Sequence, residues 1–122
     1  MRIMLKSKIH RARVTEANIN YEGSISIDRK LMVAADILPF EQVHVLDVNN
    51  GNRFTTYAIE GEDEEICVNG AAARMVTRGD TVIILTYTDV VEEKTLTHSP
   101  TLVYVDTNNK IKQIKSEVSL VH

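Results

Sequence analysis

Apolar and polar positions alternate with a period of two along much of the chain, as in "SISID" (24–28), "VHVLDV" (43–48), "RFTTYAI" (53–59), "TVIILTY" (81–87) and "TLVYV" (101–105). That period sends successive side chains to opposite faces, so each segment predicts a strand with one face toward a core. The run Val82-Ile83-Ile84-Leu85 is apolar on both faces. It predicts a strand covered on both sides, by other parts of a barrel or by another subunit. Between two of the strands lies "NNGN" (49–52). Its Asn-Gly pair favours the positive backbone angles of a primed turn, so residues 43–59 predict an antiparallel hairpin.

Helical signals are few. Asp28 offers an N-cap to a short helix over about 29–35, and Pro39 limits its extension. "AAARM" after Asn69-Gly70 predicts one or two turns more, and residues 90–98 a third short helix. Many short strands with two or three short helices point to a mainly β fold. A small closed or nearly closed barrel would remove the unpaired edges that invite aggregation.

At 122 residues, the chain is long enough for one domain spanning 1–122 and short for two. It is 43% hydrophobic and 25% charged, with no low-complexity tract, which is the composition of a folded globular protein. A net charge of -3 argues against a general polyanion binder. Arg2, Lys6, Lys8, Arg11 and Arg13 make the amino terminus locally basic, but no aromatic is interleaved to stack a base, so no nucleic-acid partner is expected. The charges of "MRIMLKSKIHRARV" leave no apolar stretch for a secretory signal, and nothing resembles a membrane span, so a cytoplasmic protein without a membrane partner is expected. A lone cysteine, Cys67, fits a reducing compartment.

Most chemical signatures are missing. His10, His44, His98, His122 and Cys67 show no short metal-ligand spacing, so no metal is expected. The acidic run "EDEE" (62–65) lacks the alternation and glycine of a calcium loop, and no phosphate-cradling glycine motif is present. Cys67 in "EICVN" reads as a small buried thiol. What remains is Gly23-Ser24 in "NYEGSISID". A Gly-Ser pair is ordinarily a tight turn. It can also be a junction at which the serine hydroxyl attacks the carbonyl of the preceding glycine.

Three blocks, "MLKSKIHRARVTEANINYEGSISID", "VNNGNRFTTYAI" and "CVNGAAARMVTRGDTVIIL", together resemble the pyruvoyl-dependent aspartate 1-decarboxylases. The resemblance runs in order from residue 4 to about residue 88 and carries little beyond residue 90. It implies a double-psi β-barrel, a homotetramer with sites at subunit interfaces, and conversion of L-aspartate to β-alanine and carbon dioxide for pantothenate synthesis. It also implies self-cleavage between Gly23 and Ser24, giving a β chain of 1–23 and an α chain of 24–122. Ser24 would become a covalently bound pyruvoyl group, with neither a metal nor pyridoxal phosphate required. Ordinary side chains cannot delocalise the electron pair left by decarboxylation. A pyruvoyl ketone can, through a Schiff base with the substrate amine.

By the same resemblance Tyr57 is the proton donor, Arg53 binds a substrate carboxylate, and Thr56 serves processing and substrate binding. Gly70, Ala71 and Ala72 match a backbone segment that hydrogen-bonds the substrate, and Lys8 and His10 match positions near the site that would attract a dianion. Asn69 could orient the substrate adduct, and Tyr21 and Ile83 match pocket-lining positions. Six of these have a structural reading as well: Arg53 as a surface charge, Lys8 and His10 as a solvated strand, Asn69 as half of a turn, Tyr21 and Ile83 as core. Ile25 and Leu46 depart from the family pattern in ways that bear on pocket shape. On a flat strand Arg53 and Tyr57 share a face and Thr56 points to the other. Twist, a bulge or a site shared between subunits could reconcile them. Two further readings stay open: a pyruvoyl decarboxylase for another acidic amino acid such as glutamate, and a non-catalytic β-barrel binding module.

Overall fold

In a computed structural model, which describes residues 1–117, the alternating segments become strands and the polar breaks between them become turns. In chain order these are β1 (Arg2–Arg13), β2 (Glu16–Asn18), β3 (Ser24–Asp28), β4 (Gln42–Asp47), β5 (Arg53–Gly61), β6 (Ile66–Asn69), β7 (Thr81–Val90), β8 (Thr101–Val105) and β9 (Ile111–Lys115). One α-helix, α1 (Arg29–Ala34), and two 3-10 helices (Gly70–Met75 and Glu92–Thr97) fall where short helices are predicted. Asp28 caps α1 as expected, its Oδ1 accepting from Lys30 N at 2.8 Å. Its Oδ2 accepts from Glu64 N at 2.7 Å, which fixes the turn between β5 and β6.

The strands hydrogen-bond in the order β2-β6-β3-β5-β4-β7-β1-β8-β9. The domain is mainly β, as predicted, but the ladder stays open, with β2 and β9 at its two ends. It curls over one core in which Ile9, Ile25, Ile27, Val43, Val45, Ile66, Val68, Val82, Ile84 and Val103 are fully buried. Leu31 and Met32 of α1 pack onto the same cluster. Each such side chain contributes roughly 1.5–3 kcal/mol by leaving water.

β1 is the longest strand and sits between β7, antiparallel, and β8, parallel. Two register shifts against β7, between Leu5 and Ser7 and between Ile9 and Ala12, interrupt its alternation. Arg11 occupies the second with φ 64°, so that Ile9, Ala12 and Val14 all reach the core. Beyond β1 the chain crosses to β6, where Thr15 N donates to Ile66 O at 2.8 Å and Ile66 N donates to Thr15 Oγ1 at 3.0 Å. Asn109, buried with φ 60°, clamps the far end: its Nδ2 donates to Arg13 O and Glu64 O, and its Oδ1 accepts from Arg13 N.

The predicted hairpin of β4 and β5 forms, with Val43 opposite Thr56 and Leu46 opposite Arg53. Its turn differs from the primed two-residue form, because Gly51 has φ 77° while Asn50 is not in the left-handed region. Asp47 supplies the reason: its Oδ1 accepts from Asn49 N at 2.8 Å and Asn50 N at 3.3 Å, which stabilises a longer loop. On β7, Val82, Ile84 and Leu85 are buried and Ile83 is half-buried, so the chain covers most of both faces of that strand.

Candidate active site around Ser24 and Asn69

Ser24 opens β3 and is 1% exposed, although the preceding Gly23 is exposed. Cross-strand pairing sets Ser24 opposite Asn69 of β6 and Ser26 opposite Cys67. Ile25 and Ile27 face the core, so Ser24, Ser26, Asn69 and Cys67 share the other face of the β3–β6 pair. All four are buried there and hydrogen-bonded. Asn69 Nδ2 donates to Ser24 Oγ at 3.0 Å and to Ser26 Oγ at 3.1 Å, and Asn69 Oδ1 accepts from Cys67 Sγ at 3.2 Å. Ser24 Oγ in turn donates to Glu22 O at 3.2 Å, folding the hydroxyl back along the Glu22–Gly23 segment. Burial, and then the charges of Glu65 and Glu16, push the Cys67 thiol above its ordinary pKa, which keeps it protonated as a donor.

Asn69 stands at the N-cap of the Gly70–Met75 helix without using its side chain as a cap. Its amide is spent on the two serines instead. The following Gly70 has φ 74°, and its backbone abuts Gly23 and the carbonyl of Tyr21, leaving no room for a side chain. Ala71 and Ala72 continue from it, exposed and half-buried. At Gly23 an added Cβ would touch nothing, so packing does not account for a glycine there.

Parallel pairing of β3 with β5 sets Ile25 opposite Ala58, so Ser24 and Tyr57 each precede a paired residue and share a face. Tyr57 is half-buried, its ring 6.3 Å from that of Phe40. Arg53 lies on the same face of β5 but four residues away, about 13 Å along the strand. It lines a cavity of about 460 Å³ with Ile3, Glu41, Gln42, His44 and Tyr87. Thr56 points to the opposite face, and no register shift within β4–β5 turns it round. Tyr21 is 54% exposed, and its carbonyl approaches Gly70.

Ile83, Lys8 and His10 belong to a second group. Leu46 pairs with both Arg53 and Ile83, and Leu85 pairs with both His44 and Lys8, so these rows cross β5, β4, β7 and β1 on the face away from the core. His10 pairs with Tyr104, its ring 5.2 Å away and edge-on. Burial, then the charges of Lys8, Arg11 and Lys112, lower the His10 pKa, so positive charge on this strand comes from its lysines and arginines. Along the ladder β5, β4 and β7 stand between β3 and β1, so strand pairing does not bring Lys8 or His10 beside Ser24. The sequence alone did not single out Ser26, and treated Cys67 only as a buried thiol. Their signal was positional: Ser26 is two residues from Ser24, and Cys67 two from Asn69, on the same faces. His122 lies outside the described residues.

A mainly β domain with a buried serine at a glycine–serine junction, its hydroxyl held by an asparagine amide, defines the class. The family model described as aspartate decarboxylase matches residues 1–112, extending past the motifs that end near residue 88. An aspartate 1-decarboxylase of Dehalococcoides mccartyi is 61% identical over 118 residues, covering 95% of each chain. Another, from Syntrophomonas wolfei, is 60% identical over 116 residues, 93% of this chain and 98% of its own. A third, from Legionella pneumophila, is 55% identical over 118 residues, 95% of this chain and 89% of its own. The chain belongs to the aspartate decarboxylase family. The open, curled sheet is consistent with the double-psi β-barrel that the resemblance implied.

Proposed function

We propose that this chain cuts itself between Gly23 and Ser24 and then decarboxylates L-aspartate to β-alanine and carbon dioxide, in the cytoplasm, as a step toward pantothenate. The observation that carries the reading is the Ser24 hydroxyl, buried next to a glycine at which an added Cβ would touch nothing, and held by Asn69 Nδ2. In maturation Ser24 Oγ attacks the Gly23 carbonyl carbon, the Gly23–Ser24 C–N bond breaks, and the hydroxyl proton passes to the freed nitrogen. Loss of the Ser24 α-proton then expels Gly23 as a carboxylate that keeps Oγ. Water replaces the nitrogen at Cα, which leaves as ammonia, and residue 24 becomes pyruvoyl.

The site fits such a group. It arises in place, next to Gly23, whose backbone abuts Gly70, with one Asn69 N–H aimed at the side chain of residue 24. When present, the pyruvoyl group supplies a conjugated carbonyl that accepts the electron pair left by carbon dioxide. Tyr57 holds a proton at Oη for the substrate carbon, on the face that Ser24 shares. Arg53 binds a carboxylate as a planar fork, and Lys8 adds charge for the second, with neutral His10 beside it. Gly70, Ala71 and Ala72 let the substrate approach the main chain, Tyr21 and Ile83 line the pocket, and Thr56 serves processing and substrate binding.

Distance argues for an oligomer. Ile83, Lys8 and His10 stand on strands that do not pair with β3, and Arg53 is about 13 Å along β5 from Tyr57; a second copy docking on the outer sheet face would bring the two groups together. Exposed Ile3, Phe40 and Val33, each more than two-thirds exposed, are suited to burial in such an interface. The reading is a homotetramer with sites between subunits.

Intact mass under denaturing conditions tests the reading, on fresh and warmed protein with Ser24→Ala as control. Two fragments meeting at 23/24, the larger carrying a pyruvoyl mass absent from the control, support it; a single uncut chain after long incubation and addition of cell extract overturns it. Product formation from aspartate against glutamate then decides the substrate.

A further inference from the structure

Asn69 has two amide N–H groups and, in the uncut chain, two hydroxyl acceptors for them, Ser24 Oγ and Ser26 Oγ. Maturation as proposed above consumes one. Oγ of Ser24 leaves with Gly23 as part of a carboxylate, so the bond from Asn69 Nδ2 to that atom must be lost. Ser26 is not consumed. From this we infer that Ser26 is a positioning residue, the hydroxyl that keeps the Asn69 amide in place once Ser24 has been converted, so that one N–H stays free for the group at position 24.

Three observations converge on it. Ser26 is 8% exposed, so its hydroxyl competes with little water for the amide. Cross-strand pairing with Cys67 seats it level with the thiol that holds the other end of the same amide, Asn69 Oδ1. Asn69 is 2% exposed and makes no capping bond, so among the described residues these partners orient its amide. Before the cut, losing Ser26 still leaves Ser24 Oγ and Cys67 to hold the amide. After the cut, it leaves only the weak thiol contact.

That asymmetry separates positioning from simple packing, and the inference rests on conversion of Ser24 as proposed above. Ser26→Ala and Ser26→Thr are made alone and with Asn69→Ala, and compared with the parent chain. Cutting is followed by intact mass, the Asn69 side-chain amide by ¹H–¹⁵N NMR of the processed protein, and turnover by β-alanine release. Ser26→Ala is expected to cut within about threefold of the parent rate. Its kcat falls about tenfold with KM nearly unchanged, the equivalent of one lost hydrogen bond, and the Asn69 amide proton exchanges faster. Ser26→Thr, which keeps a hydroxyl, restores both, and Ser26→Ala adds nothing on the Asn69→Ala background. A Ser26→Ala enzyme that is cut, turns over within twofold of the parent and keeps a protected Asn69 amide overturns the inference. So does a tenfold loss that persists when Asn69 is already alanine. An uncut parent chain would instead overturn the reading of Ser24 on which the inference stands.

Discussion

Gly70 and Gly23 are packed backbone against backbone: a Cβ on Gly70 would lie 2.6 Å from Gly23 Cα and 2.7 Å from Gly23 N. Two segments 47 positions apart in sequence, one carrying the candidate cut and the other a turn after β6, thus hold each other at a distance only glycine permits.

Gly70→Ala should therefore be costly twice over. Its φ of 74° is strained for alanine by about 1–2 kcal/mol, and relieving the overlap displaces the Gly23 segment. The expected result is a lower midpoint in urea unfolding together with slowed or abolished cutting by intact mass. Gly23→Ala, where an added Cβ meets nothing, should leave stability within about 0.5 kcal/mol and so isolates the chemical need for glycine.

Tyr57→Phe keeps the half-buried ring beside Phe40 and removes only the hydroxyl. Cutting should proceed, while kcat falls roughly a hundredfold to ten-thousandfold, the range for a positioned acid. Full activity in the phenylalanine variant would exclude Tyr57 as the proton donor.

Arg53→Lys preserves charge but not the fork. Arg53 is exposed and forms no ion pair among the described residues, so melting temperature should not change. Loss of a bidentate carboxylate contact, worth about 1.5–3 kcal/mol for a charged hydrogen bond, predicts a fall in kcat/KM of roughly tenfold to a hundredfold.

Asp47 predicts a pH dependence of stability. It is 2% exposed, and its Oδ2 has no hydrogen-bond partner among the described residues. Burial, then the neighbouring Asp80 carboxyl, raises its pKa, against the opposing pull of the Asn49 and Asn50 N–H groups. A carboxyl that holds its proton more tightly when folded stabilises the fold in acid, and that contribution is lost as pH rises through the folded pKa. Asp47→Asn keeps the Oδ1 acceptor and abolishes the titration. Thermal melts from about pH 4 to pH 7 should show the variant gaining on the parent as pH rises.

Asn109→Ala removes three hydrogen bonds that join β1 to the Glu64 turn and places alanine at φ 60°. At about 1 kcal/mol per bond, a loss near 3 kcal/mol is expected in urea unfolding. KM for substrate should not move.

Local chemistry made much of this fold legible in advance. The Asp28 cap, the hairpin of residues 43–59 and the strand alternation each depend on residues close in sequence, where periodicity and turn preference act directly. The hairpin turn was misjudged because Asp47, outside the Asn-Gly pair, captures the loop amides. The bulges in β1 hide its length, since one left-handed residue at Arg11 breaks the period and shifts buried positions from 7 and 9 to 12 and 14. The pairing of Ser24 with Asn69, separated by 45 positions, depends on ladder topology and not on any local signal. Resemblance, and not periodicity, named Asn69. Ser26 and Cys67 acquire meaning only once that pairing is known.

Because β1 runs between β7 and β8, a break after Gly23 would leave the shorter piece pinned through ladders on both its edges. The mature particle would then be a non-covalent heterodimer within each subunit, held without a linker. Melting would then separate the two pieces as well as the subunits, which adds a further dependence on protein concentration to that of the uncut assembly. Once separated, the fragments would have to find each other by collision before the sheet could re-form. Such an enzyme folds as one molecule and thereafter survives as two.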